Sequence, residues 1–305
     1  MIDIKSIAIL GAGALGAAFA GMLYDLDPAC VALVAGGERG TRLRQAGLRV
    51  NGTAYPIPVL APDDDTAPPA DLVIVALKHH HLVEAIHDIK HQVGPDTILL
   101  SVMNGLDSEP MLGAVYGSEK ILYAISVGID AQRQGNVINY AHQGRLIFGE
   151  ADNTTLSDRV LAVQALFDRA GIVYQTPPDM VRMMWWKFMV NVGVNQASAV
   201  LNAPYHVMQT VHPAQAVMEA AMREVITCAQ AASVDLTEQD LAEWYPVLNT
   251  LAPAGRTSMA QDIQAGRKTE VEIFAGKVVR LGEEYNIPTP VNETLLNLIH
   301  ALEAV

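Results

Sequence analysis

Cysteine is nearly absent from this chain. Two residues in 305, Cys30 and Cys228, are far apart in apolar contexts, which excludes a disulfide framework and a cysteine-built metal site and suggests two buried thiols. Basic residues are scarce as well. Twenty Lys and Arg against 33 Asp and Glu leave a formal charge of −13, which argues against a nucleic-acid partner. Half of the residues are hydrophobic, yet no apolar run approaches the ~20 residues that span a bilayer, so no membrane association is expected. The opening Met-Ile-Asp-Ile-Lys-Ser lacks the basic and long apolar regions of a secretion signal, and cytoplasmic residence is the expectation. A length of 305 residues exceeds one typical core and favours two domains. On so acidic a molecule, an anionic ligand needs a local basic island.

What the chain does have begins at its start. Lys5–Leu10 has the composition of a short strand, and Gly11-Ala12-Gly13-Ala14-Leu15-Gly16 then opens a small-residue helix running through Tyr24. Strand, glycine-rich turn and helix together form the fingerprint of a dinucleotide site. Gly11 permits the tight turn, Gly13 lets a pyrophosphate approach the backbone, Gly16 lets helix and strand pack closely, and the helix N-terminus offers N–H groups to phosphate. A glycine-rich turn without ligand is the blander alternative.

The end of the second strand, Val31–Ala35, bears on which nucleotide is bound. An NAD site usually has an acidic residue there for the ribose hydroxyls. Here Gly36-Gly37-Glu38-Arg39 follows, then Thr41 and Arg42, so arginines rather than a carboxylate stand near the expected 2′-phosphate. This favours NADP, with Arg39 as a cofactor contact. Two alternatives stay open: Arg39 and Arg42 as solvated helix positions, and Glu38 bending back to select NAD.

Leu72–Leu77, Thr97–Met103 and Ile121–Val127 continue a parallel sheet, and Val137–Tyr140 with Arg145–Gly149 is expected to form a hairpin that ends it. Lys78 and Asn104-Gly105 directly follow two of these strands. In open α/β sheets that edge binds ligand. Either alone fits a helix start or an ordinary turn; beside the fingerprint they become candidate site residues. The histidines 79–81, 87 and 91 do not read as a metal site, because in helical register Leu82, Val83, Ala85, Ile86 and Ile89 form the buried side. No metal is expected, and Asp63-Asp64-Asp65 reads as a solvated loop.

After a final strand at Ile172–Gln175, the pattern turns helical at Thr176-Pro177-Pro178-Asp179. The fold class is therefore α/β: a Rossmann-type dinucleotide-binding domain over 1–178, then an all-helical domain over 179–305. Helices are expected at about Asp179–Leu201, Pro213–Ser233, Thr237–Asn249, Ser258–Gly266, Thr269–Asn286 and Val291–Ala304. In the first of these, Lys187, Asn191 and Asn195 recur at every fourth position of an otherwise apolar stretch and share one side. Burying unpaired polar groups costs about 1–3 kcal/mol each, so the strip needs a polar ligand. A ketone receiving hydride is such a ligand, because an ammonium stabilises and protonates the oxygen while asparagines donate without adding charge. Burial among Trp185, Trp186, Phe188 and methionines should lower the Lys187 pKa. Ser258 and Thr269 taken singly fit helix caps, and Glu270 a first-turn carboxylate.

The ordered set resembles the ketopantoate reductases (2-dehydropantoate 2-reductases) along nearly the whole chain. The matching elements are Gly-Ala-Gly-Ala-Leu-Gly at 11–16, Leu77-Lys78, Asn104-Gly105, Trp-Lys-x-x-x-Asn-x-x-x-Asn at 186–195, Ser258-Met259 with Gln261-Asp262, and Gly266-Arg267-x-Thr269-Glu270. The resemblance implies NADPH-dependent reduction of 2-dehydropantoate to (R)-pantoate, toward pantothenate and coenzyme A. It implies Lys187 as general acid, and Glu270 interacting with it and with the substrate hydroxyl. Asn191, Asn195 and Ser258 would contact substrate, Asn104 would bridge cofactor and substrate, Lys78 would lie near both, and Asp262 is a weaker candidate. Two departures stand out: Gly36 occupies the place of an arginine that grips the 2′-phosphate in many members, which puts NADP preference in question, and Thr257 replaces a serine. Reduction of another small 2-keto or β-keto acid is the alternative activity, and a non-catalytic NADP-binding sensor is the alternative from a different class. The mostly apolar helical domain is compatible with a homodimer.

Overall fold

The computed structural model of the chain describes residues 2–129 and 131–305. The chain divides into two compact units, Met1–Met180 and Val181–Val305. The first opens with β1 (Ile7–Leu10), α1 (Ala14–Leu26), β2 (Val31–Val34), α2 (Gly37–Ala46), β3 (Leu48–Val50), β4 (Thr53–Tyr55) and β5 (Val59–Leu60). It continues through β6 (Leu72–Val75), α3 (His79–Ala85), β7 (Ile98–Ser101), α4 (Ser108–Tyr116) and β8 (Ile121–Val127). It closes with β9 (Gln132–Gln134), β10 (Val137–Asn139), β11 (Arg145–Gly149), α5 (Asp158–Ala170) and β12 (Tyr174–Gln175).

Eight strands form the main sheet in the order β12-β11-β8-β7-β6-β1-β2-β5. All pairings are parallel except β11 with β8. Both faces are buried because successive residues feed two cores. Ile7, Ile9, Leu72 and Ile74 join one with Phe19, Leu23 and Phe167; Ala8, Leu10, Val73 and Val75 join the other with Leu82, Ile86 and Leu112. That explains the near-continuous apolar strands. Leu10 pairs with both Val34 and Val75, and Val75 with Ser101. The carboxyl ends of β1, β2, β6 and β7 therefore stop in register, and the segments that follow them share one edge.

The expected hairpin over 137–149 does not form. β11 pairs antiparallel with β8, whereas β10 leaves for a second, four-stranded sheet of order β4-β3-β10-β9. There Val137 and Ile138 pair in parallel with Arg49 and Val50, a partner nearly ninety residues away that local alternation cannot reveal. The buried side expected around the histidines is also amended. Leu82, Ile86 and Ile89 are buried but Val83 is 60% exposed, because it lies about 100° around α3 from Leu82, at the margin of the buried side, before the 3-10 turn at Ile86–Ile89 begins.

The second unit consists of helices α6 (Met180–Val200), α7 (Tyr205–Thr210), α8 (His212–Ala231), α9 (Glu238–Leu248), α10 (Ser258–Gln264), α11 (Ala275–Tyr285) and α12 (Pro290–Glu303). The helix expected from Thr269 is broken: a 3-10 turn at Val271–Ile273 ends at Phe274, whose φ −107 and ψ −92 leave helical geometry before α11 begins. Apolar periodicity spans this break, so the sequence pattern joined the two pieces. Both cysteines are buried and free. No helix among the described residues is long and apolar enough to cross a membrane.

Candidate active site

In the first unit, the turn after β1 separates two kinds of glycine. Gly11 has φ +108, and a Cβ there would meet the Ala76 carbonyl oxygen at 2.5 Å. A Cβ on Gly16 would lie 1.9 Å from the Gly11 carbonyl oxygen. The chain itself demands both. Gly13 is different: its φ of −75 suits any residue, and a Cβ would meet only the Ala76 oxygen at 3.7 Å, an ordinary contact. What a side chain there would fill is the space before the α1 N-terminus, where Gly13 supplies no capping acceptor. An anion fits such a place, since N–H groups and the helix dipole face it. Ala12 is buried, while Ala14 and Leu15 are half-buried along the turn.

A cavity of about 290 Å³ adjoins this turn, lined by Gly11, Gly36, Arg39, Pro62, Leu77 and Asp88 among others. Arg39 reaches it from the first turn of α2; Glu38, the alternative NAD selector, is exposed and is not among its walls. Burial lowers the Arg39 pKa from its usual value, and the charges of Arg133 and Arg42 lower it further. Arg133 comes from β9, and the Asn136 side chain that follows donates to the carbonyls of Ala46 and Gly47 at the end of α2. Three mutually repelling guanidinium groups on an acidic chain form the basic island that an anionic ligand requires. Arg133 was not legible in the sequence because only the long-range β3–β10 pairing carries it there. Asp88, half-buried on the same cavity, was missed for a similar reason: it reads as a solvated helix position.

Lys78 is the N-cap residue of α3, three positions beyond β6. Asn104 stands three beyond β7, followed by Gly105 at φ +92. Both are half-buried and on the edge shared with Gly11.

The second unit holds the polar strip. α6 runs unbroken through Lys187, Asn191 and Asn195. At Gly193, a Cβ would meet the Met222 Cε at 2.5 Å and the Met218 carbonyl at 3.0 Å, so α6 and α8 approach closely there. Gly193 lies on the side of the helix opposite the strip, which leaves the strip turned away from that packing. Asn191 and Asn195 are 5% and 6% exposed, and the Asn195 carboxamide has no hydrogen-bond partner among the described residues. Lys187 is half-buried, and burial alone lowers its pKa from 10.5 to about 8. No charge of Glu270 is among the causes acting on that pKa. Glu270 is half-buried at the start of the 3-10 turn, where its carbonyl accepts from the Ile273 amide.

Ser258 is not a cap. Thr257 is the N-cap of α10, its hydroxyl accepting from the Ala260 amide, and Ser258 is exposed as the first helical residue. Thr269 does act locally, its hydroxyl accepting from the Val271 amide. Asp262 is committed to the fold: its carboxylate pairs with Arg267 at 2.9 Å and its carbonyl accepts from the Arg267 amide. Among the described residues no group of three or more His, Cys, Asp or Glu is arranged to hold a metal.

Residues 7–153 match the model of the family described as ketopantoate reductase PanE/ApbA, and residues 179–303 match its C-terminal model. A 2-dehydropantoate 2-reductase of Halobacterium salinarum is 28% identical over 297 residues, covering 96% of this chain and 97% of its own. A ketopantoate reductase structure from Ralstonia eutropha JMP134 superposes with a TM-score of 0.84 at 24% identity, covering 98% of both chains. A structure of D-mandelate dehydrogenase with NADH superposes with a TM-score of 0.88 at 22% identity, covering 98% of this chain and 99% of that one. At these identities the two structures speak for the fold.

Proposed function

Because the chain belongs to the ketopantoate reductase family, we propose that it reduces 2-dehydropantoate to (R)-pantoate with NADPH. The observation that carries this reading is the Lys187 amine, lowered to about 8 by burial alone and aligned on one helix side with Asn191 and Asn195. Such an amine is protonated near neutrality and gives its proton up readily, which suits a general acid for a ketone oxygen. NADPH, when bound, supplies the hydride. Lys187 protonates the oxygen; Asn191, Asn195 and Ser258 bind and orient the keto acid; Glu270 interacts with the substrate hydroxyl. By the resemblance, Asn104 would contact cofactor and substrate, and Lys78 would lie near both.

The choice of NADPH is supported by Arg39 on the cavity wall and by the absence of Glu38 from it. Gly36, where many members carry an arginine, is backed by Pro62, whose Cγ and Cδ would lie 3.1 Å from an added Cβ. A side chain at 36 is crowded, and Arg39, one helical step on, takes the role. A homodimer belongs to the same reading, supported by apolar residues exposed on the helical unit, Val217, Leu298 and Leu302 among them.

Rates with ketopantoate and a panel of 2-keto and β-keto acids, using NADPH and then NADH, test this reading. Ketopantoate with NADPH is expected to give the highest kcat/KM. A wide preference for another acid moves the substrate within the same scaffold, and tight cofactor binding without turnover of any acid favours a sensor. Lys187→Ala is expected to lose about 10²–10⁴-fold in kcat while still binding NADPH; near-normal turnover removes Lys187 from the chemistry.

A further inference from the structure

The loop that carries Asn104 is closed at its base by a chain of polar contacts. β7 ends at Ser101 and α4 begins at Ser108, and the hydroxyls of these two serines lie 2.7 Å apart. Ser108 donates to Glu109 Oε2 at 2.8 Å, so Ser101 is the donor in its contact with Ser108. Ser101 in turn accepts from the Met103 amide at 3.4 Å. The hydrogen bonds thus run one way, from a backbone amide of the loop through two hydroxyls to a carboxyl group. Ser101, Ser108 and Glu109 are 0%, 1% and 3% exposed. The other oxygen, Glu109 Oε1, is buried without a partner. A carboxyl in this setting is a costly way to fill space, and an apolar side chain would do that better. Its position at the end of the chain is what it contributes.

We propose that Glu109 is a positioning residue that, through Ser108 and Ser101, holds residues 102–107 closed and so presents Asn104 at the sheet edge. The role of Asn104 in this statement rests on the reductase reading above.

The same geometry makes the closure depend on pH. Burial pushes the Glu109 carboxyl up to about 7; the hydrogen bonds from Ser108 and from its own amide pull it down, and Asp107 raises it. From β8 the Tyr123 phenol faces it, raised by burial and by the charges of Glu109 and Glu150. Glu119 and Lys120, in the 3-10 turn packed against α4, are not among the charges that act on it. Below about 7 Glu109 carries its proton, and the unpartnered oxygen bears no charge. Above it, a buried carboxylate has one hydroxyl donor, and the loop opens to bring water to Oε1. Closure is tightest on the acid side.

Hydrogen–deuterium exchange of the peptide containing residues 102–107, corrected for the intrinsic pH effect, tests this without reference to turnover. In the wild type, exchange there is expected to rise about tenfold between pH 6 and pH 8 while the β1 and β6 peptides stay protected. The KM for ketopantoate should rise over the same interval. Glu109→Gln, neutral and of the same shape, should be flat in both measurements. Glu109→Ala should exchange fast at both pH values and raise KM about tenfold, with a smaller effect on kcat. Should that variant fail to fold, Ser101→Ala interrupts the same chain at its other end. Unchanged exchange over 102–107 in these variants, or a Glu109→Gln response like that of the wild type, overturns the proposal. If the wild type does not reduce ketopantoate, the reductase reading fails, and the exchange pattern still decides whether Glu109 holds the loop.

Discussion

The hydroxyls of Ser198 and Thr257 lie 2.6 Å apart, both buried, and join the end of α6 to the start of α10. Thr257 accepts from the Ala260 amide, and Ser198 donates to the Asn195 carbonyl at 3.1 Å. One chain of hydrogen bonds therefore ties the backbone of Asn195 to the turn that presents Ser258. Removing either hydroxyl leaves a buried partner unsatisfied, at a cost of about 1–3 kcal/mol. Thr257→Val is expected to lose stability by that order in chemical denaturation and to raise the KM for the keto acid. Thr257→Ser keeps both bonds and should behave as the wild type.

Gly13 and Gly16 should respond differently to the same added methyl group. Gly16→Ala drives a Cβ into the Gly11 carbonyl and is expected to destabilise the protein whether or not cofactor is present. Gly13→Ala meets no such obstacle in the chain. It should melt near the wild-type temperature and yet bind NADPH about tenfold more weakly, a loss of about 1.4 kcal/mol. Calorimetric melting beside a fluorescence titration distinguishes the two. A Gly13→Ala protein with unchanged affinity would remove the pyrophosphate from this turn.

The Lys187 pKa of about 8 sets the direction of the pH profile. A general acid works while protonated, so kcat for ketone reduction should be level below about 8 and fall about tenfold per pH unit above it. The reverse oxidation needs the neutral amine and should rise through the same pH. A bound keto-acid carboxylate favours the ammonium form and moves the inflection in kcat upward relative to that in kcat/KM. Steady-state rates in both directions between pH 6 and pH 10 check this, and a flat profile excludes Lys187 as the acid.

Arg39 should discriminate between nucleotides. A hydrogen bond to a charged phosphate is worth about 1.5–3 kcal/mol, so Arg39→Ala is expected to weaken NADPH binding by roughly 10- to 100-fold. NADH, which lacks the 2′-phosphate, should be affected little. The NADPH loss should shrink as salt is raised, because Arg39 shares its island with Arg42 and Arg133. Equal losses for both nucleotides would move Arg39 away from the phosphate.

Much of this was legible before folding. The glycines at 11, 13 and 16 announced their turn by their spacing, two of them answering to local sterics while Gly13 leaves open space before α1. Lys187, Asn191 and Asn195 were conspicuous because polar residues at helical spacing inside an apolar run contradict burial. The boundaries of α6, α8 and α9 followed from periodicity and caps to within a few residues. Other features were hidden. β10 carries no mark of its parallel partner β3, the break at Phe274 lies within unbroken apolar periodicity, and Glu109 looks like an ordinary acidic first-turn residue until its burial is seen.

The sequence by itself determined the elements that depend on neighbours along the chain: a strand–turn–helix for a dinucleotide, a helix with a polar side, and strand ends bearing Lys78 and Asn104. Only the tertiary structure decided which charges gather and which groups lose water. It brought Arg133 to Arg39 through pairing between distant strands, lowered Lys187 to about 8, and enclosed Glu109 beneath the Asn104 loop. The reason is physical: backbone preference and periodicity act over a few residues, whereas desolvation and Coulomb interaction depend on everything packed around a group, wherever in the chain it originates.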